Sequence, residues 1–474
     1  MNTVTKWIFI MVNIMSFSGL AQIQIGANLE GEAMDDNFGT YIKLSSDGNV
    51  LGVLSLQTSS NVHFYKNNGV DWLLYGTDSE GGHFDGVVAS SLDLSYDGNT
   101  LAFGGAAAVK VYTYESGIWT QKGTDVPNTA NDSSFGAGVC LSNDGNIIAV
   151  SSPTYITPSS NGRQLPPPLN QGLVQIFQYE SGNWVQIGNS IIGNHNEFSG
   201  YSFSLSSDGT KIAISNRNSI RIFEYNSNAW TIIGNEISGV YQEHKNVSLS
   251  SDGTIVAVGD PQYSDGIIQR GRVRIYKNVS NNWTQIGGDI MGQTAQEFAG
   301  EKVSISSNGN VLAVSFIGNN SNGNDAGQVK IFENVSGTWT QMGSSINGEA
   351  SGDRFGTALS LSSDASTVAI GTPYNDSNGV DAGQVKVYDL SATLANNTLS
   401  LTEFKLFPNP TSNVLYIYSK LPLKKVELYS VLGKKIMELT SDFNAIPIKQ
   451  LANGLYLVKL QTEYGHVIKK LIKD

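Results

Sequence analysis

One feature constrains this chain more than any other: a unit of about fifty residues is repeated seven times. The turn signal Ser-x-Asp-Gly-Asn, or a close variant, recurs with its third position at Asp47, Asp97, Asp144, Asp208, Asp252, Asn308 and Asp364. A Phe-Gly or Phe-x-Gly opening precedes five of these turns, at Phe38, Phe135, Phe198, Phe298 and Phe355, and leads into an alternating strand such as residues 358–361. After the turn comes a short apolar run, as in residues 147–150 and 311–314, apolar on both faces and therefore a strand buried from both sides. A third strand reads Gly-x-Val-x-Ile-Tyr/Phe, and a fourth opens at Trp72, Trp119, Trp184, Trp230, Trp283 and Trp339. Each unit is thus a four-stranded meander, and the Asp-Gly pair predicts a two-residue hairpin of the primed type between its first two strands.

A lone meander with two apolar faces cannot bury them, so neighbours must stack. Seven units arranged radially predict an all-β fold, a seven-bladed β-propeller over residues 22–390. The seventh unit ends at residues 383–388 without a Trp strand. The missing piece lies near the start: Gln22-Ile23-Gln24-Ile25-Gly26, followed by Gly31-Glu32-Ala33, aligns with Trp339-Thr340-Gln341-Met342-Gly343 and Gly348-Glu349-Ala350. The expectation is a ring closed by the N-terminal strand. These units resemble FG-GAP and related seven-bladed propeller repeats. FG-GAP blades that bind calcium carry an Asp/Asn-rich loop between their first two strands, and here that connection is only the short turn, so the resemblance carries no calcium over to those positions.

Residues 1–21 combine Lys6, an apolar stretch and small residues at Gly19 and Ala21, which reads as a cleavable signal peptide. The stretch is shorter than the ~20 residues a span requires, so no transmembrane segment is expected. Cys140 is the only cysteine, and the chain is long enough to be held by packing alone. With 29 Lys and Arg against 41 Asp and Glu, the net charge is −12. The last 72 residues carry an excess of Lys, so the repeats are more acidic still, which argues against a nucleic-acid partner.

Residues 391–400 are small and polar, a linker. Residues 401–474 then show about seven short alternating strands, predicting a small Ig-like β-sandwich. The run Phe407-Pro408-Asn409-Pro410, the strand around Gly454, Tyr456 and Val458, and the Lys-rich final strand with Lys469 and Lys470 closely resemble the C-terminal sorting domain of type IX secretion substrates in Bacteroidetes. The resemblance implies the type IX machinery as a partner and a location that is secreted or on the outer-membrane surface.

Functional residues are harder to read. The connections between strands two and three are long at residues 151–171, 260–270, 317–326 and 372–382 and minimal at 215–219. They share an end with the connections leading into each first strand, and irregular loops on a regular scaffold are where binding concentrates. An acid precedes each first strand: Asp36, Asp85, Asp132, Glu197, Glu243, Glu297 and Asp353. Arranged radially these form a negative rim, either a site for a basic partner or merely solvated loop charge. The loop containing Asn375, Asp376, Asn378 and Asp381 has oxygen spacing that a hard cation uses, but it lacks a closing glutamate, and an Asx turn accounts for the same residues. No cofactor is expected, with Ca2+ at this loop as the alternative. No metalloprotease, nucleophile-elbow or cysteine-based metal motif is present, and the five histidines are scattered. The Trp series reads as packing between units. The expected function is a noncatalytic protein- or glycan-binding module, not an enzyme. The alternative is a polysaccharide hydrolase or lyase using carboxylates from different units, which meet only in space.

Overall fold

A computed structural model describes residues 22–55, 62–75, 77–78, 89–105, 107–157, 170–239, 246–391, 404–419, 423–430, 435–443, 445–462 and 465–474. The signal peptide, most of the linker, Asp85 and Glu243 lie outside the described residues. The chain divides into two compact units, Met1–Leu390 and Ser391–Asp474.

The first unit contains seven antiparallel meanders among the described residues. The first comprises Tyr41–Leu44, Val50–Leu54, Val62–Asn67 and Trp72–Leu74; the sixth comprises Ala299–Ile305, Val311–Phe316, Gln328–Val335 and Thr338–Asn347. The second strands are the most buried, because both faces meet a neighbouring sheet: Val50–Leu54 and Val311–Phe316 are buried throughout. Core clusters accordingly join adjacent sheets, as where Ile255 and Val273 pack with Val303 and Leu312. The seventh sheet has only three strands of its own, Ala358–Leu361, Thr367–Thr372 and Gln384–Asp389. Its outer edge is completed by Ile23–Gln24 and Leu29–Glu30, with Gln24 opposite Tyr388 and Leu29 opposite Val385.

The repeated turn differs from the sequence expectation. Leu44 pairs with Leu51, Ser45 N donates to Val50 O at 2.8 Å, and Gly48 N donates to Ser45 O at 2.9 Å, so the connection has four residues and not two. Only the glycine takes positive φ, +75° at Gly48, whereas a two-residue type I′ turn needs it at both centres. Side chains explain the preference. Ser45 Oγ donates to Asp47 Oδ1 at 2.6 Å and accepts Val50 N at 2.9 Å, while Asp47 Oδ1 also accepts Asn49 N at 3.0 Å. The same set recurs from Ser95–Asp97 to Ser362–Asp364.

Two devices join neighbouring sheets, the first of them at four of the junctions. At the outer edge, the indole N–H of Trp184, Trp230, Trp283 and Trp339 donates to the carbonyl of Lys122, Ile187, Ile233 and Ile286 in the preceding sheet's outermost segment, at 3.0–3.1 Å. The residue after that carbonyl must be glycine: a Cβ on Gly234 would lie 2.7 Å from the Trp283 ring, at φ +71°. At the inner edge, main-chain bonds of 2.8–3.0 Å run from Asp47 N to Tyr96 O, Tyr96 N to Asn143 O, and onward through Ser207, Ser251, Ser307 and Ser363. The series returns to its start, because Ser363 N donates to Ser46 O at 2.8 Å.

The second unit has a three-stranded sheet (Phe404–Phe407, Val414–Ser419, Ala445–Pro447) and a four-stranded sheet (Lys435–Leu439, Leu423–Ser430, Gly454–Thr462, Gly465–Lys473). They share one core that includes Phe404, Leu415, Val426, Ile446, Val458 and Leu471.

Candidate functional site

The long loops of the first unit are fixed to the segment that opens the following sheet. Phe38 N donates to Ala382 O, Phe355 N to Ala326 O, Ala299 N to Arg270 O and Ser199 N to Gln171 O, all at 2.9–3.0 Å. Each bond ties the last residues of a long loop to the entry of the next sheet, so these described segments share one face. On it stand solvent-exposed apolar and aromatic side chains, among them Met34, Tyr201, Ile267, Tyr374 and Val380.

Between three of these segments lies a cleft of about 320 Å3 lined by Gln262, Phe298, Glu301, Ile317, Gly318, Asp325 and Arg354. Phe298 and Ile317 supply an apolar surface, the others a polar rim. The Arg354 guanidinium lies 5.6 Å from the Tyr374 ring. This volume suits a single sugar residue or amino-acid side chain. Sequence reasoning missed Glu301 and Arg354, since they sit beside repeat positions that carry no motif of their own.

The acids before the first strands serve their own loops. Asp36 Oδ2 accepts Glu32 N at 2.7 Å and Ala33 N at 2.9 Å, and Asp353 Oδ2 accepts Ala350 N at 3.0 Å and Asn375 Nδ2 at 3.1 Å. Glu297 accepts Gln293 N, Thr294 Oγ1 and Asn319 Nδ2. Asp36, Glu297 and Asp353 are 8%, 3% and 2% exposed. Burial raises the Asp353 pKa despite its donors. Burial acts the same way on Glu197, but the Asn194 donors and Arg221 outweigh it and hold that carboxyl below its usual value. Asp132 accepts Ser134 N at 2.8 Å.

The loop at residues 375–381 is organised the same way. Asn375 Oδ1 accepts Ser377 N at 3.0 Å, Asp376 Oδ1 accepts Asp381 N at 2.8 Å, and Asn378 Nδ2 donates to Gly31 O at 2.7 Å. Residues 319–325 repeat the pattern through Asn319, Asn320 and Asn322. Among the described residues, no three His, Cys, Asp or Glu side chains converge as metal ligands would.

The inner edges enclose a second cavity, about 120 Å3, lined by one equivalent residue from every sheet: Lys43, Asp93, Cys140, Ser204, Ser248, Ser304 and Ser360. Each serine Oγ accepts a main-chain N–H from the following sheet: Leu249, Ile305, Leu361 and, from Ser360, Leu44, at 3.0–3.1 Å. Asp93 Oδ2 does the same for Leu141 N at 2.7 Å, and Lys43 Nζ pairs with Asp93 Oδ1 at 2.8 Å. Burial opposes the Lys43 charge, but Asp93 outweighs it and raises the pKa; burial pushes the Cys140 thiol up to about 12.

In the second unit, Asn409 clamps the final strand: its Oδ1 accepts Ile472 N and its Nδ2 donates to Lys470 O, both at 2.9 Å. Pro408 and Pro410 flank it. Tyr456 and Val458 are buried, Tyr456 Oη donating to Ala452 O at 2.8 Å, while Lys469 and Lys470 lie opposite Val458 and Leu457. Phe407 stacks on Tyr416, and both are substantially exposed.

Residues 405–474 match the family of secretion-system C-terminal sorting domains. The protein is therefore exported by the type IX secretion system to the cell surface or extracellular space, and that machinery is a partner. No helix among the described residues is long and apolar enough to cross a membrane. No curated protein matches the chain. Among solved structures it is similar to the hydrazine synthase of Kuenenia stuttgartiensis, with 13% identity over 77% of this chain and 97% of that one and a TM-score of 0.49. It is also similar to a putative 6-phosphogluconolactonase from Bacteroides fragilis NCTC 9343, with 13% identity over 66% and 85% and a TM-score of 0.43.

Proposed function

We propose that the first unit is a seven-bladed β-propeller of FG-GAP-like repeats, closed by its N-terminal strand, and that the second is an Ig-like sandwich that delivers it. The seven meanders and the series of inner-edge bonds that returns from Ser363 to Ser46 support this reading. At the surface the propeller acts as a noncatalytic binding module for a protein or glycan, with its ligand on the long-loop face. The observation that carries this is the cleft between loops whose backbones are already fixed, with exposed aromatic side chains beside it, because pre-organised loops lose little entropy on binding. A glycan and peptide array probed with the mature chain tests it. A hit without new reducing ends, weakened by Phe298→Ala or Arg354→Ala, is expected. Release of product would overturn the noncatalytic reading.

A second reading, polysaccharide hydrolase or lyase, is favoured by one feature: Glu301 and Asp325 line the same cleft. It requires product formation that Glu301→Gln or Asp325→Asn abolishes.

A further inference from the structure

The cleft on the loop face carries charges that the fold does not use. Asn37 and Arg354 open equivalent turns, since Asn37 N donates to Asp381 O at 2.9 Å and Arg354 N to Asp325 O at 3.0 Å. Asn37 uses its side chain for the fold, its Nδ2 donating to Pro373 O and Asp381 O at 3.4 Å, whereas the Arg354 guanidinium turns to the Tyr374 ring. Three residues further on, Thr40 Oγ1 donates to Asn37 O at 2.7 Å and Thr357 Oγ1 to Arg354 O at 2.8 Å. The same turn in the sixth sheet, where Glu301 N donates to Phe298 O at 3.2 Å, has Glu301 in place of that threonine, and a carboxylate has no proton to give.

Among the described residues none of Glu301, Asp325 and Arg354 forms an ion pair, although all three line the one cleft. The Asp325 carboxylate accepts only Asn324 Nδ2 there, at 3.4 Å. Other acids of this face are engaged: Glu297 and Asp353 by loop donors, Glu197 by Arg221 and Asp265 by Arg270. A ligand that matches the cleft therefore brings charge of both signs, a cation for the carboxylates and an anion for the guanidinium, joined by an apolar stem for Phe298 and Ile317. A neutral sugar uses neither sign, and an acidic one meets two carboxylates. A lysine or arginine within a chain supplies only the cation. The same residue at the end of a chain supplies both, because its α-carboxylate is free.

We propose that this cleft binds the C-terminal arginine or lysine of a protein partner, its basic head group at Glu301 and Asp325, its stem against Phe298 and Ile317 and its α-carboxylate at Arg354. The inference rests on the loop-face reading and narrows it from protein or glycan to the end of a protein chain. A cleft of about 320 Å3 has room for one such residue.

The test uses the mature chain labelled with 13C at isoleucine Cδ1, so that Ile317 reports from the cleft by NMR. The probes are Nα-acetyl-L-arginine, which mimics a chain end; its amide, which lacks the carboxylate; Nα-acetyl-L-citrulline, which lacks the cation; and free L-arginine. Saturable one-to-one binding of Nα-acetyl-L-arginine is expected, moving the Ile317 methyl signal. The amide and the citrulline derivative should bind about fivefold or more weakly, each having lost one partly exposed charge contact. Arg354→Gln should abolish the preference over the amide, and Glu301→Gln should reduce the preference over the citrulline derivative, with Asp325→Asn as the second variant if that protein does not fold. No saturation by Nα-acetyl-L-arginine, an unmoved Ile317 signal, or equal binding of the amide or the citrulline derivative would overturn the proposal. A clear preference for free L-arginine would overturn it in favour of a free amino acid. If these probes fail while an array ligand still binds and is weakened by Phe298→Ala, this inference falls and the loop-face reading stands; if neither binds, both fall.

Discussion

At the residue scale, the molecule depends on seven equivalent inward-facing side chains, four of them serines, whose role no motif announces. Ser360 Oγ receives Leu44 N, and so fastens the last sheet to the first with the same bond that joins consecutive sheets. Replacing it with alanine leaves a buried N–H without its acceptor, which costs about 1–3 kcal/mol, whereas a surface Ser→Ala change costs less than about 0.5 kcal/mol. Chemical denaturation of Ser360→Ala measures the difference. Cys140 occupies the equivalent position in the third sheet, where its thiol is protonated. It should resist iodoacetamide at pH 8 in the folded protein and react within minutes once unfolded, as mass spectrometry would read. The sequence marks these positions only as alternate members of an apolar strand. Lys43 and Asp93 are fifty residues apart, and their pairing becomes visible only when neighbouring repeats are placed side by side.

At the element scale, most of the fold was legible. The meander, its doubly buried second strand and the Trp strand all follow from periodicity, because alternation and apolar runs report directly on which faces are covered. The turn was misjudged because Asp-Gly signals a tight reversal without disclosing that Ser45 Oγ would satisfy two partners and widen it. The employment of the acids before the first strands was not legible: a carboxylate capping a loop, as Asp36 and Asp353 do, and one facing a ligand look alike in sequence. Asp353 and Asn375 meet at 3.1 Å across twenty-two residues that carry no pairing signal. In the sorting unit, Glu427 is buried, which disfavours its charge, but Lys425 and Lys435 at 3.2 Å hold its pKa down to about 2. A carboxyl depressed in the folded state adds stability above its unfolded pKa and loses it as pH falls toward the folded value. The stability advantage of the natural chain over Glu427→Gln should therefore be full near about pH 6 and vanish by about pH 2. Melting curves of the two proteins across that range provide the check.

At the scale of the whole molecule, the two units divide the labour. The sorting unit addresses the protein to its export route, and within it Asn409 holds the final strand through two hydrogen bonds. A chain ending at residue 390 should accumulate inside the outer membrane, and fractionation followed by immunoblotting would show it. Efficient release of that truncation would contradict the assignment. The repeat unit carries the proposed binding. Its integrity rests on the first described strand lying against the last strand of the seventh sheet, so that the two ends of one unit are joined by hydrogen bonds such as Ile25 N to Val387 O at 2.8 Å. Gln24 and Tyr388 face each other in this pairing, between hydrogen-bonded neighbours, where Cβ atoms come closest. Cysteines introduced at both positions in a Cys140→Ser background test the arrangement most directly. The account predicts a near-quantitative intramolecular disulfide under mild oxidation, with a melting temperature that rises and falls back on reduction. Two free thiols, or a disulfide formed only between separate molecules, would contradict it.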